Sequence, residues 1–257
     1  GAYTGTSAIQ DVNRKITPFL GVVYELTPNL SAYASHSRIF NPQNYKDVNN
    51  QPLSAVVGSN TEAGLKAELL DRRVQASLAL FQTKQNDYGV RDSSVPEASL
   101  SDGSSAYKTV NGTRSHGFEI DVSGHINRQW RVNAGFTRTM VTRAATDLIW
   151  ANLPEYQLQL GTDYQLSGAL APLSVGGDVQ WQSKIVGYNI PHPTLGTVTV
   201  TESPMALVNL RATWKFNPKL SATLAINNLT SKKYWANLDY PNYGDPRNVS
   251  VTLRAAF

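Results

Sequence analysis

From Tyr156 onward, apolar and polar residues alternate one for one. The even positions read Tyr156, Leu158, Leu160, Thr162, Tyr164 and Leu166; between them lie Gln157, Gln159, Gly161, Asp163 and Gln165. The pattern recurs from Ala206, where Val208, Leu210, Ala212, Trp214 and Phe216 follow on one face and Asn209, Arg211, Thr213 and Lys215 lie on the other. It closes the chain as Val249, Val251, Leu253, Ala255 and Phe257 set against Ser250, Thr252, Arg254 and Ala256. A period of two belongs to a strand with one apolar and one wetted face, not to a helix. The whole chain contains about eleven such segments. They run from Lys15 to Leu26, Leu30 to Phe40, Ser59 to Leu69, Arg73 to Tyr88, Arg114 to Gly124, Trp130 to Arg143, Glu155 to Leu166, Leu173 to Gly187, Pro204 to Phe216, Leu220 to Leu229 and Arg247 to Phe257.

The connections alternate as well. Thr27-Pro28-Asn29, Leu70-Asp71-Arg72, Asn127-Arg128-Gln129 and Asn217-Pro218-Lys219 are short turns. Asn41 to Gly58, Gly89 to Thr113, Tyr188 to Ser203 and Ser231 to Pro246 are long loops, with Ala144 to Pro154 of middling length. Outer-membrane barrels have short periplasmic turns and long extracellular loops. Trp130, Tyr24, Tyr164, Trp214, Phe216 and Phe257 gather at the short-turn side, mostly on the apolar face, as an interfacial girdle requires. A soluble β-sandwich also puts aromatics at sheet ends, but seldom alternates its turn lengths so regularly. The expected fold is therefore all-β, an antiparallel transmembrane β-barrel wall.

An odd number of strands closes an antiparallel ring only with a parallel seam. Left open in lipid, the two edges would expose N–H and C=O groups at several kcal/mol each. Upstream strands are expected to complete the barrel, with Gly1 to Arg14 as the tail of an extracellular loop. No charged and apolar leader follows Gly1; a protein bound for the outer membrane needs one, so either it has been removed with other upstream sequence or the membrane reading is wrong.

Composition removes several alternatives. No apolar run reaches helical-span length, and the slightly negative mean hydropathy suits strands that alternate between lipid and water. With no cysteine, disulfides and thiolate metal sites are excluded. The net charge of +4 comes from scattered Lys and Arg interleaved with acids, not from the basic stripe of a nucleic-acid binder. His36, His116, His125 and His192 match no metal-ligand spacing, and no Gly-x-Ser-x-Gly elbow is present. No catalytic set is expected.

Asn227-Asn228-Leu229-Thr230-Ser231-Lys232-Lys233-Tyr234 resembles the penultimate-strand motif of TonB-dependent receptors, and Tyr243 through Leu253 resembles their terminal strand. Phe40-Asn41-Pro42-Gln43, with Ala32-Tyr33-Ala34-Ser35 before it and Glu62-Ala63-Gly64-Leu65-Lys66 after it, resembles the siderophore branch; Gly117 through Gly124 is a weaker match. The resemblance runs in family order across nearly the whole chain. It implies that residues 1–257 are the C-terminal part of a barrel of about twenty-two strands. The first barrel strands, an N-terminal plug and a TonB box would lie upstream. It implies a receptor of the Gram-negative cell outer membrane that binds a ferric siderophore outside and imports it with TonB-derived energy. No resident cofactor is implied, since iron travels inside the chelate. Phe257 resembles the signal read by barrel-assembly machinery. A passive porin-type channel is the alternative.

Chelate recognition calls for aromatic walls and a few polar donors. The long loops supply Tyr45, Tyr107, Trp150, Tyr188, Trp235, Tyr240 and Tyr243. Tyr188, Trp235, Tyr240 and Tyr243 are the candidate ligand-binding residues, because they sit in or beside outward-facing loops. Loop packing is the competing role for each. Arg91, Lys108 and Lys232 are candidate attractors of anionic cargo, and a solvated surface role is their default. Glu62, Lys66, Glu68, Glu119, Asp121, Arg211 and Arg254 fall on the polar face that would line the lumen.

Overall fold

The computed structural model describes residues 15–110, 112–143, 153–192, 194–238 and 242–256. The expectations for Gly1 to Arg14, Trp150, Tyr240 and Phe257 lie outside the described residues. Along the chain run β1 (Phe19–Thr27), β2 (Leu30–Asn41), β3 (Val56–Leu69), β4 (Val74–Asn86), β5 (Tyr88–Arg91), β6 (Tyr107–Val110), β7 (Thr113–His125), β8 (Trp130–Arg143) and β9 (Tyr156–Gln165). There follow β10 (Leu173–Gln182), β11 (Ile185–His192), β12 (Gly196–Glu202), β13 (Met205–Asn217), β14 (Leu220–Asn227), β15 (Trp235–Asn237), β16 (Asn242–Tyr243) and β17 (Asn248–Ala255). The one helical segment among the described residues is a 3-10 turn at Gly168–Leu170, in the connection from β9 to β10.

Eleven strands form a single antiparallel sheet in the order β1-β2-β3-β4-β7-β8-β9-β10-β13-β14-β17. These are the eleven segments that the period of two marks out. Each pairs with its neighbours along the chain, as an up-and-down barrel wall requires. β1 and β17 are the two edges of this sheet and do not pair with each other.

Directly opposed residues of antiparallel strands point to the same face. The register therefore carries the alternation from strand to strand. Leu65 faces Leu78, Leu78 faces Ile120, Ile120 faces Phe136, Phe136 faces Leu158, and Leu158 faces Trp181. Across the far half, Val179 faces Val208, Ala212 faces Leu224, and Leu224 faces Val251. This apolar face is uncovered: Leu80 is 59% exposed, Leu160 42% and Val251 68%. In a soluble sandwich such positions would form the core. Among the described residues the buried apolar ones are Leu53, Ala55, Val56, Val74, Leu100, Ala106 and Leu238, and all but Val74 belong to the long-loop end. Tyr24, Trp130, Tyr164, Trp214 and Phe216 are also exposed on the apolar face, close to the short turns. The Trp130 indole N–H donates to Thr162 at 2.8 Å.

The opposite face is polar and internally bonded. Tyr33 donates to Glu62 at 2.5 Å, and the Lys66 ammonium sits 4.9 Å from the Tyr33 ring centre. Gly64 faces Tyr33 across the ladder; a Cβ there would come within 2.6 Å of the ring, so only glycine admits it. Arg211 grips both Asp163 oxygens and reaches Asp178 at 3.6 Å. Asn209 then donates to Asp178 at 2.7 Å.

Three features differ from the sequence expectation. β10 stops at Gln182, five residues short of Gly187, and the chain re-enters strand at Ile185 as part of a separate hairpin. β14 ends at Asn227, because Asn228 takes a left-handed conformation with φ +50°. The long loops also contain two-stranded ribbons, β5-β6, β11-β12 and β15-β16.

Candidate functional site: the long-loop crown

The first two long loops dock on each other through one buried amide. Gln43 leaves the Asn41-Pro42 corner and is almost fully buried. Its Nε2 donates to the carbonyls of Asp87 (2.7 Å) and Ser54, and its Oε1 accepts from the Gly89 N–H at 3.0 Å. Every polar atom of the side chain is thus partnered, as burial demands. Gly89 must lack a side chain, since a Cβ would press on Gln43 and Tyr45 at 2.7 Å. Above this clamp Tyr45 and Tyr107 stack with ring centres 4.1 Å apart, and the Tyr107 N–H donates to the Lys46 carbonyl. These two tyrosines pack loop on loop.

Charge is also settled within the loops. Lys46 pairs with Asp102 at 2.6 Å, Lys108 with Asp92 at 3.0 Å, and Arg91 with Glu97 at 3.2 Å. Hydrogen bonds from Ser94 and the Lys108 ammonium lower the Asp92 carboxyl to about 2. The Lys46 ammonium and the Ser104 hydroxyl hold Asp102 well below the usual carboxylate range. Arg91 and Lys108, candidate attractors of anionic cargo, are therefore already neutralised by their own loop.

The last long loop is fastened differently. Asn228 is buried, its N–H donating to Asn209 Oδ1 at 2.9 Å. Its Nδ2 donates to the carbonyls of Lys232 (2.9 Å) and Asp245 (3.0 Å), and its Oδ1 accepts from the Lys232 N–H at 2.8 Å. One side chain thus ties both ends of the 231–246 loop to the wall. Asn227 bonds Asn248 across the ladder at 2.9 Å. On this base stands the β15-β16 ribbon, where Trp235 faces Tyr243 with ring centres 6.0 Å apart, edge to face. Gly244 lies directly beneath the Tyr234 ring.

Of the four candidate ligand residues, the structure brings together Trp235 and Tyr243. Tyr243 is 72% exposed, so much of its ring is open to a ligand. Tyr188 lies in β11 of a separate ribbon, and Tyr240 lies outside the described residues. Asn228 bonds backbone just past the strand end, as its sequence position suggests, and the organiser that sequence reasoning missed is Gln43. Gln43 lies inside the Phe40-Asn41-Pro42-Gln43 motif, which was the available signal. Among the described residues no three His, Asp or Glu side chains converge as a metal site.

Residues 1–229 match the family model described as TonB dependent receptor-like, beta-barrel. The chain belongs to the TonB-dependent receptor family. This receptor barrel is 35% identical over 249 residues to the ferric-pyoverdine 358 receptor of Pseudomonas putida, covering 94% of this chain and 29% of that protein. It is 32% identical over 260 residues to the ferripyoverdine receptor of Pseudomonas aeruginosa, covering 99% of this chain and 32% of that one. The solved outer-membrane ferripyoverdine receptor of Pseudomonas aeruginosa bound to ferripyoverdine superposes with a TM-score of 0.82 at 33% identity, over 93% of this chain and 32% of its own. The same score and identity hold for the FpvAI–pyocin S2 complex, over 93% of this chain and 33% of that chain. The chain thus spans about a third of the length of the relatives it matches. Its family is one of transporters of the outer membrane, not of enzymes or porins, and the uncovered apolar face is the lipid-facing wall.

Proposed function

We propose that the protein is a siderophore receptor that takes up a ferric chelate of the pyoverdine type at its loop crown and imports it with energy relayed by TonB. One observation carries this reading: the likeness to ferric-pyoverdine receptors extends over 94% and 99% of the chain, through the loops as well as the wall. The Trp235 and Tyr243 pair offers aromatic surface to a bulky chelate, and Tyr188 and Tyr240 are the further proposed contacts. A passive porin would need no such crown of interlocked loops.

In this reading residues 1–257 are the C-terminal part of the barrel. The remaining strands pair with the β1 and β17 edges, and a plug reaching TonB occupies the lumen. The polar network of Tyr33, Glu62, Lys66, Asp163 and Arg211 would face that plug. Phe257 is the proposed contact for barrel-assembly machinery. The test is gene deletion followed by uptake of radiolabelled iron presented as ferric pyoverdine and as other siderophores under iron limitation. Loss of ferric pyoverdine uptake, restored by the gene but not by Trp235→Ala/Tyr243→Ala, is the expected result. Unchanged uptake for every chelate refutes the proposal.

A further inference from the structure

The lipid-facing wall changes character toward its long-loop end. Ala34, Ala63, Leu80 and Phe118 form one outward row across β2, β3, β4 and β7. Four residues further toward the loops, the same face carries Arg38, Ser59, Lys84 and Arg114, again directly opposed. At about 3.4 Å per residue, this row stands roughly 14 Å along the strands from the apolar one. Together with Lys15 it lines a groove of about 460 Å³ that also includes Phe40 and Asn86. The Lys15 ammonium sits 5.4 Å from the Phe40 ring centre.

Four cations and no carboxylate line this groove. All four are exposed, and among the described residues none of them forms an ion pair. The contrast is with Arg138, on the same face of β8, which pairs with Glu155 at 2.8 Å. The crown cations Lys46, Arg91 and Lys108 are likewise paired. Unneutralised positive charge thus lines one groove, on the surface that continues into the hydrocarbon-facing band. That is where lipid headgroups of the outer leaflet meet a barrel.

We propose that Arg38, Lys84 and Arg114, with Lys15, form a binding site for the phosphorylated headgroup of an outer-leaflet lipid, whose acyl chains would run down the row of Leu80 and Phe118. Arginine offers a planar fork to phosphate oxygens and lysine a compact charge. With strands about 4.8 Å apart, Arg38 and Lys84 stand roughly 10 Å from each other, a span that suits a headgroup with more than one phosphate. The inference rests on membrane placement and not on which chelate the crown takes.

The experiment uses the full-length receptor in detergent, titrated with diphosphorylated lipid A, with the same lipid stripped of both phosphates, and with inorganic phosphate as competitor. Wild-type protein is expected to bind the phosphorylated lipid at least about tenfold more tightly than the stripped form. Arg38→Gln/Lys84→Gln/Arg114→Gln should lose about a hundredfold in affinity for the phosphorylated lipid. Arg38→Lys/Lys84→Arg/Arg114→Lys should keep most of it. Equal affinity for the two lipids would overturn the proposal, and that comparison needs only wild-type protein. So would a glutamine variant that folds and binds as wild type does, or inorganic phosphate binding as tightly as the lipid.

Discussion

Asn228→Ala isolates the fastening of the last loop. The substitution removes three side-chain hydrogen bonds, to the carbonyls of Lys232 and Asp245 and from the Lys232 N–H. At about 1 kcal/mol each they account for about 3 kcal/mol of loop docking. The backbone at this position is left-handed, which costs alanine about 1 kcal/mol more than asparagine. Rehydration of the freed carbonyls returns part of this, leaving a net loss of about 2–4 kcal/mol. The probe is the Gly244 amide, which donates to the Tyr234 carbonyl at 2.9 Å and is not itself altered by the change. Hydrogen exchange there, measured on the full-length protein in micelles, should speed up by roughly 30- to 700-fold. Asn227→Ala is the control, since it removes a single exposed hydrogen bond to Asn248 worth about 1 kcal/mol or less. Gly244 exchange that is the same in Asn228→Ala and Asn227→Ala would refute the claim that one buried amide holds this loop.

Two further outcomes follow from the wall and the first loops. Leu80→Arg puts a charge on the lipid face and should cost about 2–4 kcal/mol, whereas Ser77→Arg, on the polar face of the same strand, should be tolerated; the heat-induced mobility shift of folded barrel on gels reads both, and equal tolerance would reverse the assigned faces. The Asp92 carboxyl is depressed when folded, so its contribution to the β5-β6 ribbon is present above the ordinary carboxylate value of about 3.9 and fades as pH falls through about 2; an NMR titration of selectively labelled Asp92 checks this, and a midpoint near the ordinary value would contradict the Ser94 and Lys108 bonds.

The wall was legible because its rule is local. Alternation such as Tyr156-Gln157-Leu158-Gln159-Leu160 marks a strand whatever lies beside it, and every wall strand carries it. The loop ribbons obey no such rule. β15 and β16 have three and two residues, too few to show a period, and β5 and β6 lie far apart in sequence. Only Thr197-Val198-Thr199-Val200-Thr201 in β12 alternates visibly. The crown was half legible. Trp235 and Tyr243 stood out as loop aromatics and meet in space, while Tyr45 and Tyr107 serve packing. Gln43 escaped notice as a clamp because a polar residue in a polar loop looks solvated until its partners are seen.

The ladder of the wall runs in step across ten pairings, and the register shifts in it fall in the last residues of β1 and β13, beside a turn. A single residue inserted in the middle of any wall strand would exchange oil for water at every position beyond it. Insertions in the crown carry no such penalty. A lineage can therefore lengthen, shorten or trade its outer loops freely, while the staves of the cask must keep their lengths.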